Sequence, residues 1–154
     1  TYDEELCRKI EPHVSTTRER FEVLMRCKEL GIPTLVWMTP ILPFINDTRE
    51  NIEGLLDYCL LAGVQGILVF DVGVTLREGD REYFYQALDR DFPSIRQKYI
   101  STYGNAYDIP SPYAKELMAL IQNTCVANGM LCSPKECFTY LHEFPERYVQ
   151  QTLF

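Results

Sequence analysis

The side chains whose types and spacing could do chemistry fall at three places in this sequence. Glu11 and Arg20 stand on either side of Ser15-Thr16-Thr17, a run that can cap a helix. An Arg fork suits a carboxylate, either that of Glu11 in an ion pair closing the turn or that of a ligand. Next, Pro40, Ile41, Pro43, Asn46 and Asp47 follow the continuous run Thr34-Leu35-Val36-Trp37-Met38. Proline lacks an N–H and stops a strand ladder, so the run passes into a loop. In parallel α/β sheets ligands bind where strands end and such loops begin, which makes this loop the first candidate for a site. Asp47 also reads as a cap for the helix that follows. Last, Thr75 and Arg77 follow a second apolar run, Gly66-Ile67-Leu68-Val69-Phe70, where they either face a substrate or sit in solvent.

Other chemistries lack their residues. His13 and His142 have no third ligand at metal spacing and read as surface histidines. Cys125, Cys132 and Cys137 are the right kind of ligand for an auxiliary cluster, but no fourth partner lies near them in sequence. No metal site is therefore expected. Tyr103, Asn105 and Tyr107 read as linker packing rather than substrate contacts. A Gly-rich phosphate loop, a nucleophile elbow and a His-Glu-x-x-His helix are all missing from the sequence.

The elements that must position these groups follow from hydrophobic period and punctuation. A short helix is expected over 1–10, with Asp3, Glu4 and Glu5 favouring its N-terminal end. A second helix follows Ser15-Thr16-Thr17 and ends at Gly31. A strand is expected over 32–38, and its unbroken apolar run predicts burial on both faces. A helix over 48–61 carries the stripe Ile52, Leu55, Leu56, Cys59 and Leu60. Then come a strand over 66–70, a loop over 71–78, a helix over 80–90 and a short helical piece over 93–101. Alternating helices and strands with short links predict β/α units and a parallel sheet. A turn-rich linker over 103–108 precedes a long helix from Ser111-Pro112 to Asn128, and a short helix over 134–141. The chain thus divides into a partial β/α barrel over 1–102 and a C-terminal helical extension and tail over 103–154.

Composition narrows the class. With 154 residues, 46% hydrophobic and 24% charged, a single soluble globular domain is expected. A net charge of −7 speaks against gripping nucleic acid unaided, since phosphate contacts need clustered Lys and Arg. No apolar run reaches membrane-spanning length. Cys27 and Cys59 fall on apolar helix faces, where Cys acts as a small hydrophobe, so a reducing, cytoplasmic setting is expected. The sequence opens on Thr1-Tyr2-Asp3 rather than Met and reaches a helix before any strand. It reads as the C-terminal part of a longer protein, cut at a strand–helix junction.

Several motifs in one order resemble a known family. They are Thr1-Tyr2-Asp3-Glu4-Glu5-Leu6, Ile10-Glu11-Pro12, Arg20, Gly31-Ile32-Pro33 and Pro40-Ile41-x-Pro43-x-x-Asn46-Asp47. Together they resemble radical SAM proteins of the branch called spore photoproduct lyase-like or DNA repair photolyase-like. The motifs cover roughly the first half of the chain. The resemblance implies an α/β fold, the later units of a partial (β/α) TIM-like barrel with a C-terminal helical extension. It implies a parent enzyme in which a CxxxCxxC loop binds a 4Fe-4S cluster that cleaves S-adenosylmethionine to a 5′-deoxyadenosyl radical. That loop is missing here, so the fragment alone is expected to hold no cluster and no cofactor, and to be inactive. By the same resemblance Glu11 and Arg20 lie near the cofactor's amino-acid end, Pro40, Ile41 and Pro43 beside its adenine, and Asn46 in contact with it. Thr75 and Arg77 would face the substrate.

The implied partner is the missing N-terminal half of the barrel, and the open barrel edge invites self-association. The terminal Gln150-Gln151-Thr152-Leu153-Phe154 resembles peptides by which bacterial DNA-maintenance proteins dock on the sliding clamp. Two other functions stay open: a fragment of another TIM-barrel enzyme such as a lyase or aldolase, or a non-catalytic interaction module.

Overall fold

The computed structural model describes residues 1–143. In chain order the elements are α1 (Glu4–Ile10), α2 (Thr17–Glu29), β1 (Leu35–Trp37), α3 (Arg49–Ala62), β2 (Gly66–Leu68), β3 (Gly73–Thr75), α4 (Asp80–Asp91), α5 (Ile95–Tyr103), β4 (Asp108–Pro110), α6 (Ala114–Ala127) and α7 (Pro134–His142).

Local chemistry explains most boundaries. Asp3 caps α1 by accepting the Leu6 N–H at 2.7 Å. Thr16 and Glu19 form a reciprocal capping box at the start of α2, with the Thr16 N–H reaching Glu19 Oε2 at 2.7 Å. Ser133 and Glu136 repeat that device at α7. Gly63 ends α3 with φ +63°, the left-handed conformation that favours glycine. The expected cap of α3 moves by one residue: Thr48, not Asp47, accepts the Asn51 N–H, at 3.2 Å. The long C-terminal helix also starts later than expected. Ser111 and Pro112 form a turn in which Ser111 Oγ accepts the Tyr113 N–H, and α6 opens at Ala114.

β1 and β2 pair in parallel with Val36 opposite Ile67, and α3 is the crossover between them. Leu131 bridges Gly66 in parallel on the other side of β2, giving the sheet a third position. Spatial order across the sheet thus equals chain order. No closed barrel forms among the described residues. β3 and β4 make a separate antiparallel ribbon, Val74 opposite Ile109, in stretches expected to be loop and linker.

Two apolar clusters result. The larger unites Met38, Ile41, Ile52, Leu56, Ile67 and Val69 with Leu117, Ile121 and Cys125 of α6. The smaller gathers Leu76, Leu88, Tyr99 and Ile109 between α4, α5 and the ribbon. Burial on both faces of β1 does not hold. Met38 is buried but Trp37 is 58% exposed, and Phe70 after β2 is 56% exposed. α3 and α6 cover one face of the sheet; on the other the Trp37 and Phe70 rings lie 5.8 Å apart, with Phe138 of α7 6.5 Å from Phe70.

Gly66 shows how closely the third position packs. A Cβ there would lie 2.7 Å from both Leu131 Cβ and Leu131 O. Overpacking of this kind costs about 1–3 kcal/mol. Gly66→Val is expected to lower the unfolding free energy by about that amount in urea titration, whereas Gly129→Asn, at a helix end with open space around it, changes it little.

Candidate functional site

The loop after β1 is held from three sides. Its backbone is turned by Asn46, whose Oδ1 accepts the Leu42 N–H at 2.6 Å and whose carbonyl accepts Asn51 Nδ2 at 2.7 Å. Tyr99 Oη donates to the Pro43 carbonyl at 2.7 Å from the smaller cluster. Ser111 Oγ donates to Asp47 Oδ2 at 2.5 Å, tying the loop to the start of α6. The Thr39–Pro40 peptide bond is cis, and Phe44 has φ +62°. All these groups except exposed Thr39 and Pro40 and half-buried Phe44 are buried.

A cavity of about 360 Å³ opens beside this loop. Its near wall is Pro40, Leu42, Ile45 and Asn46; its far wall is Phe84, Leu88 and Phe92 of α4 and the turn after it. Ile10, Glu11 and Arg20 close one end. Arg20 Nη2 lies 3.0 Å from Glu11 Oε2, and both side chains stay about half exposed. Lys9 Nζ sits 4.6 Å from the centre of the Phe92 ring. The Arg90 guanidinium hydrogen-bonds the Asp91 carboxylate and holds its pKa below the usual range. The cavity therefore offers apolar walls with paired charges of both signs at its rim, an arrangement suited to a ligand with a flat apolar body and a zwitterionic end.

Of the residues singled out in the sequence, Glu11, Arg20, Pro40 and Asn46 meet at this one cavity. Ile41 and Pro43 do not line it. Ile41 is buried in the larger cluster and faces a second, apolar groove beside β1. Pro43 is buried, its carbonyl engaged by Tyr99, so both support the loop from beneath. Thr75 lies apart, in a cavity of about 360 Å³ lined also by Thr39, Pro40, Phe70, Asp71 and Asp108. Arg77 lines neither space. It hydrogen-bonds Tyr107, which raises its pKa. Thr39 borders both cavities and the groove, so all three meet at the C-terminal end of β1. The α4 wall was not foreseen, because nothing local in residues 80–92 marks a partner 40 residues upstream.

The other candidates have structural explanations. His142 Nδ1 lies 2.7 Å from the Phe138 carbonyl, and His13 is exposed. All six cysteines are free thiols. Burial pushes Cys59 up to about 12, and burial with the neighbouring Cys132 does the same to Cys125, so both keep their protons as small apolar side chains. Among the described residues no group of three or more His, Cys, Asp or Glu is placed to hold a metal ion. No helix among them is long and apolar enough to cross a membrane. The sliding-clamp-like peptide Gln150-Gln151-Thr152-Leu153-Phe154 lies outside the described residues.

Comparison with known proteins adds length but no activity. Uncharacterized proteins of Mycobacterium tuberculosis and Mycobacterium bovis are 30% identical to the chain over 115 residues, which is 75% of this chain and 33% of theirs. The chain thus spans about a third of the length of the curated relatives it matches. No family model matches, and no solved structure matches.

Two substitutions test how the loop is held. Removing the Tyr99 hydroxyl leaves the buried Pro43 carbonyl without its donor, so Tyr99→Phe is expected to lower stability by about 1–3 kcal/mol in chemical denaturation. Burial raises the Asp47 pKa above its ordinary 3.8, only partly offset by the Ser111 hydroxyl and the Phe44 N–H. The folded state therefore favours the protonated carboxyl. Its stability contribution is full below pH 3.8 and is lost as pH rises through the folded value. Asn keeps an acceptor for Ser111 but cannot ionise. Subtracting the unfolding free energy of Asp47→Asn from that of the native chain across pH should give a difference that falls as pH rises.

Proposed function

We propose that this chain is the C-terminal portion of a radical SAM enzyme of the spore photoproduct lyase-like branch, and that the cavity beside the β1 loop is one wall of its S-adenosylmethionine site. The observation that carries this reading is convergence. Glu11, Arg20, Pro40 and Asn46 are separated by up to 35 residues, yet they line one cavity at the C-terminal end of a parallel strand. Strand ends of this kind are where α/β sheets bind ligands.

The cavity's chemistry fits the cofactor. Arg20 would take the methionine carboxylate in a forked contact, and Glu11, released from its ion pair, would take the ammonium. Because the pair is half exposed, exchanging it for ligand charges involves little desolvation. Leu42, Ile45 and the ring of Phe84 supply an apolar surface for the adenine, with Pro40 at its edge. Asn46 spends its Oδ1 on the Leu42 N–H, so its role is to fix the loop's shape beside the ligand. Bound at a reduced iron–sulfur cluster, S-adenosylmethionine supplies hydrogen-atom abstraction. The described residues do not fit that cluster, and its ligands belong to the remainder of the longer protein. Thr75, Asp71 and Asp108 would line the adjoining substrate space. The free thiols agree with a reducing cytoplasm as the working compartment.

The test is anaerobic iron–sulfur reconstitution of the full-length protein, read by visible absorption and by 5′-deoxyadenosine release. Arg20→Ala is expected to raise the KM for S-adenosylmethionine at least tenfold, about 1.4 kcal/mol of binding. Its fold should survive, since exposed ion pairs contribute about 0–1 kcal/mol. A full-length protein that takes up no cluster and releases no 5′-deoxyadenosine overturns the reading.

A further inference from the structure

The cavity beside the ribbon differs from the cofactor wall in its charge. It measures about 360 Å³ and lies between the ends of the two parallel strands and the β3–β4 ribbon. Thr39 and Pro40 enter it from the end of β1, Phe70 and Asp71 from the end of β2, and Thr75 and Asp108 from the ribbon. Thr75 stands directly opposite Asp108 in the antiparallel register. The Val72 carbonyl accepts the Ser111 N–H at 2.8 Å, and the Tyr107 carbonyl accepts the Leu76 N–H at 2.9 Å. Pairing therefore runs past both ends of the ribbon and fixes Asp108 relative to the strand ends.

No Lys, Arg or His lines this space. Asp71 uses one oxygen to accept the N–H of its neighbour Val72, at 2.7 Å. Neither Asp71 nor Asp108 forms an ion pair among the described residues. Arg77, two residues beyond Thr75, hydrogen-bonds Tyr107 instead. The cofactor cavity, by contrast, pairs Glu11 with Arg20 and Arg90 with Asp91. An aromatic surface adjoins the two carboxylates. The Phe70 ring is 56% exposed, and Trp37 extends that surface 5.8 Å away. A cation is drawn to an aromatic face by the ring quadrupole and to a carboxylate by its charge. The Thr39 and Thr75 hydroxyls can accept further N–H groups. A phosphate or carboxylate here would meet like charge from two separate elements, with no cation lining the cavity to pair it.

We infer that this cavity takes an organic cation, a protonated amine or guanidinium carried on an apolar body, with the charge held by Asp71 and Asp108 and the body laid against Phe70. That such a cation is the enzyme's substrate rests on the cofactor reading; that one binds here does not. Thr39 and Pro40 border both cavities, so the ligand would lie next to the S-adenosylmethionine wall.

Isothermal titration calorimetry on the full-length protein, without cluster or S-adenosylmethionine, tests the inference. The probes are 2-phenylethylamine, 2-phenylethanol and phenylacetate, alike in size and different in charge. The amine is expected to bind roughly tenfold more tightly than either of the others. Combining Asp71→Asn with Asp108→Asn keeps both side-chain shapes and an acceptor for the Val72 N–H. The double variant should weaken the amine by roughly tenfold and leave the denaturation midpoint in place. Equal binding of the three probes, no binding of the amine, or an amine affinity that the double substitution leaves unchanged overturns the inference. A protein that selects the amine but takes up no cluster keeps the cation site and loses only the cofactor reading.

Discussion

The backbone of residues 40–47 has to be satisfied without a sheet, and the rest of the molecule depends on how this is done. Two prolines remove donors, the segment turns sharply, and much of it is buried, so its polar groups are met partly by its own backbone, where the Ile45 and Asn46 N–H groups donate to the Leu42 carbonyl, and otherwise by side chains. Asn46 turns the chain, Tyr99 holds the Pro43 carbonyl, and Ser111 holds Asp47. These partners come from the loop itself, from α5 and from the turn before α6. One irregular segment thereby joins α3, α5 and α6, and both apolar clusters meet along it. Ile41 belongs to the larger cluster, while Phe44 and Ile45 pack on the smaller.

This construction explains why the loop borders cavities without filling them. Its apolar side chains at 41 and 43 point into the protein as anchors. What remains on the surface is the Pro40 ring, flanked by Thr39 and backed by Leu42 and Ile45. Of the three residues expected to give a ligand apolar contact, Ile41 and Pro43 therefore lie beneath the surface, and only Pro40 is exposed. Arg20 and Glu11 are held differently. They are fixed by the capping of α2 and by the end of α1, and their charges are free to re-pair.

Much of the helix pattern was legible in the sequence because caps and stripes are local. Thr16-x-x-Glu19, Gly63 and Ser133-x-x-Glu136 act within one turn of the helix they end or start. The parallel pairing of the two apolar runs was legible for a related reason, since a helix of fourteen residues between them leaves few other topologies. Burial on both faces was misread from an apolar run that is covered on one face only. Trp37 and Phe70 are apolar yet exposed, and an unbroken apolar run carries no periodicity that tells its exposed positions from its buried ones. The β3–β4 ribbon was missed because three-residue strands carry too little pattern. It forms because Gly73 allows the Ile109 carbonyl within 2.5 Å of where a Cβ would stand. Asp47 was assigned to the nearer helix because Ser111, its actual partner, lies 64 residues away.

The division into two clusters has a consequence for how the cavity beside the loop can change shape. One wall is the loop, whose Ile41 is fixed in the larger cluster; the opposite wall is α4, rooted in the smaller one through Leu88. A smaller cluster has fewer apolar contacts to lose and so a lower threshold for sub-global opening. Swinging α4 outward would widen the cavity while leaving Glu11, Arg20 and the parallel strands in register. The loop wall draws on both clusters through Ile41 and Ile45, whereas the α4 wall draws on the smaller one alone. The width of the gap is set by how firmly Leu76, Leu88, Tyr99 and Ile109 hold together.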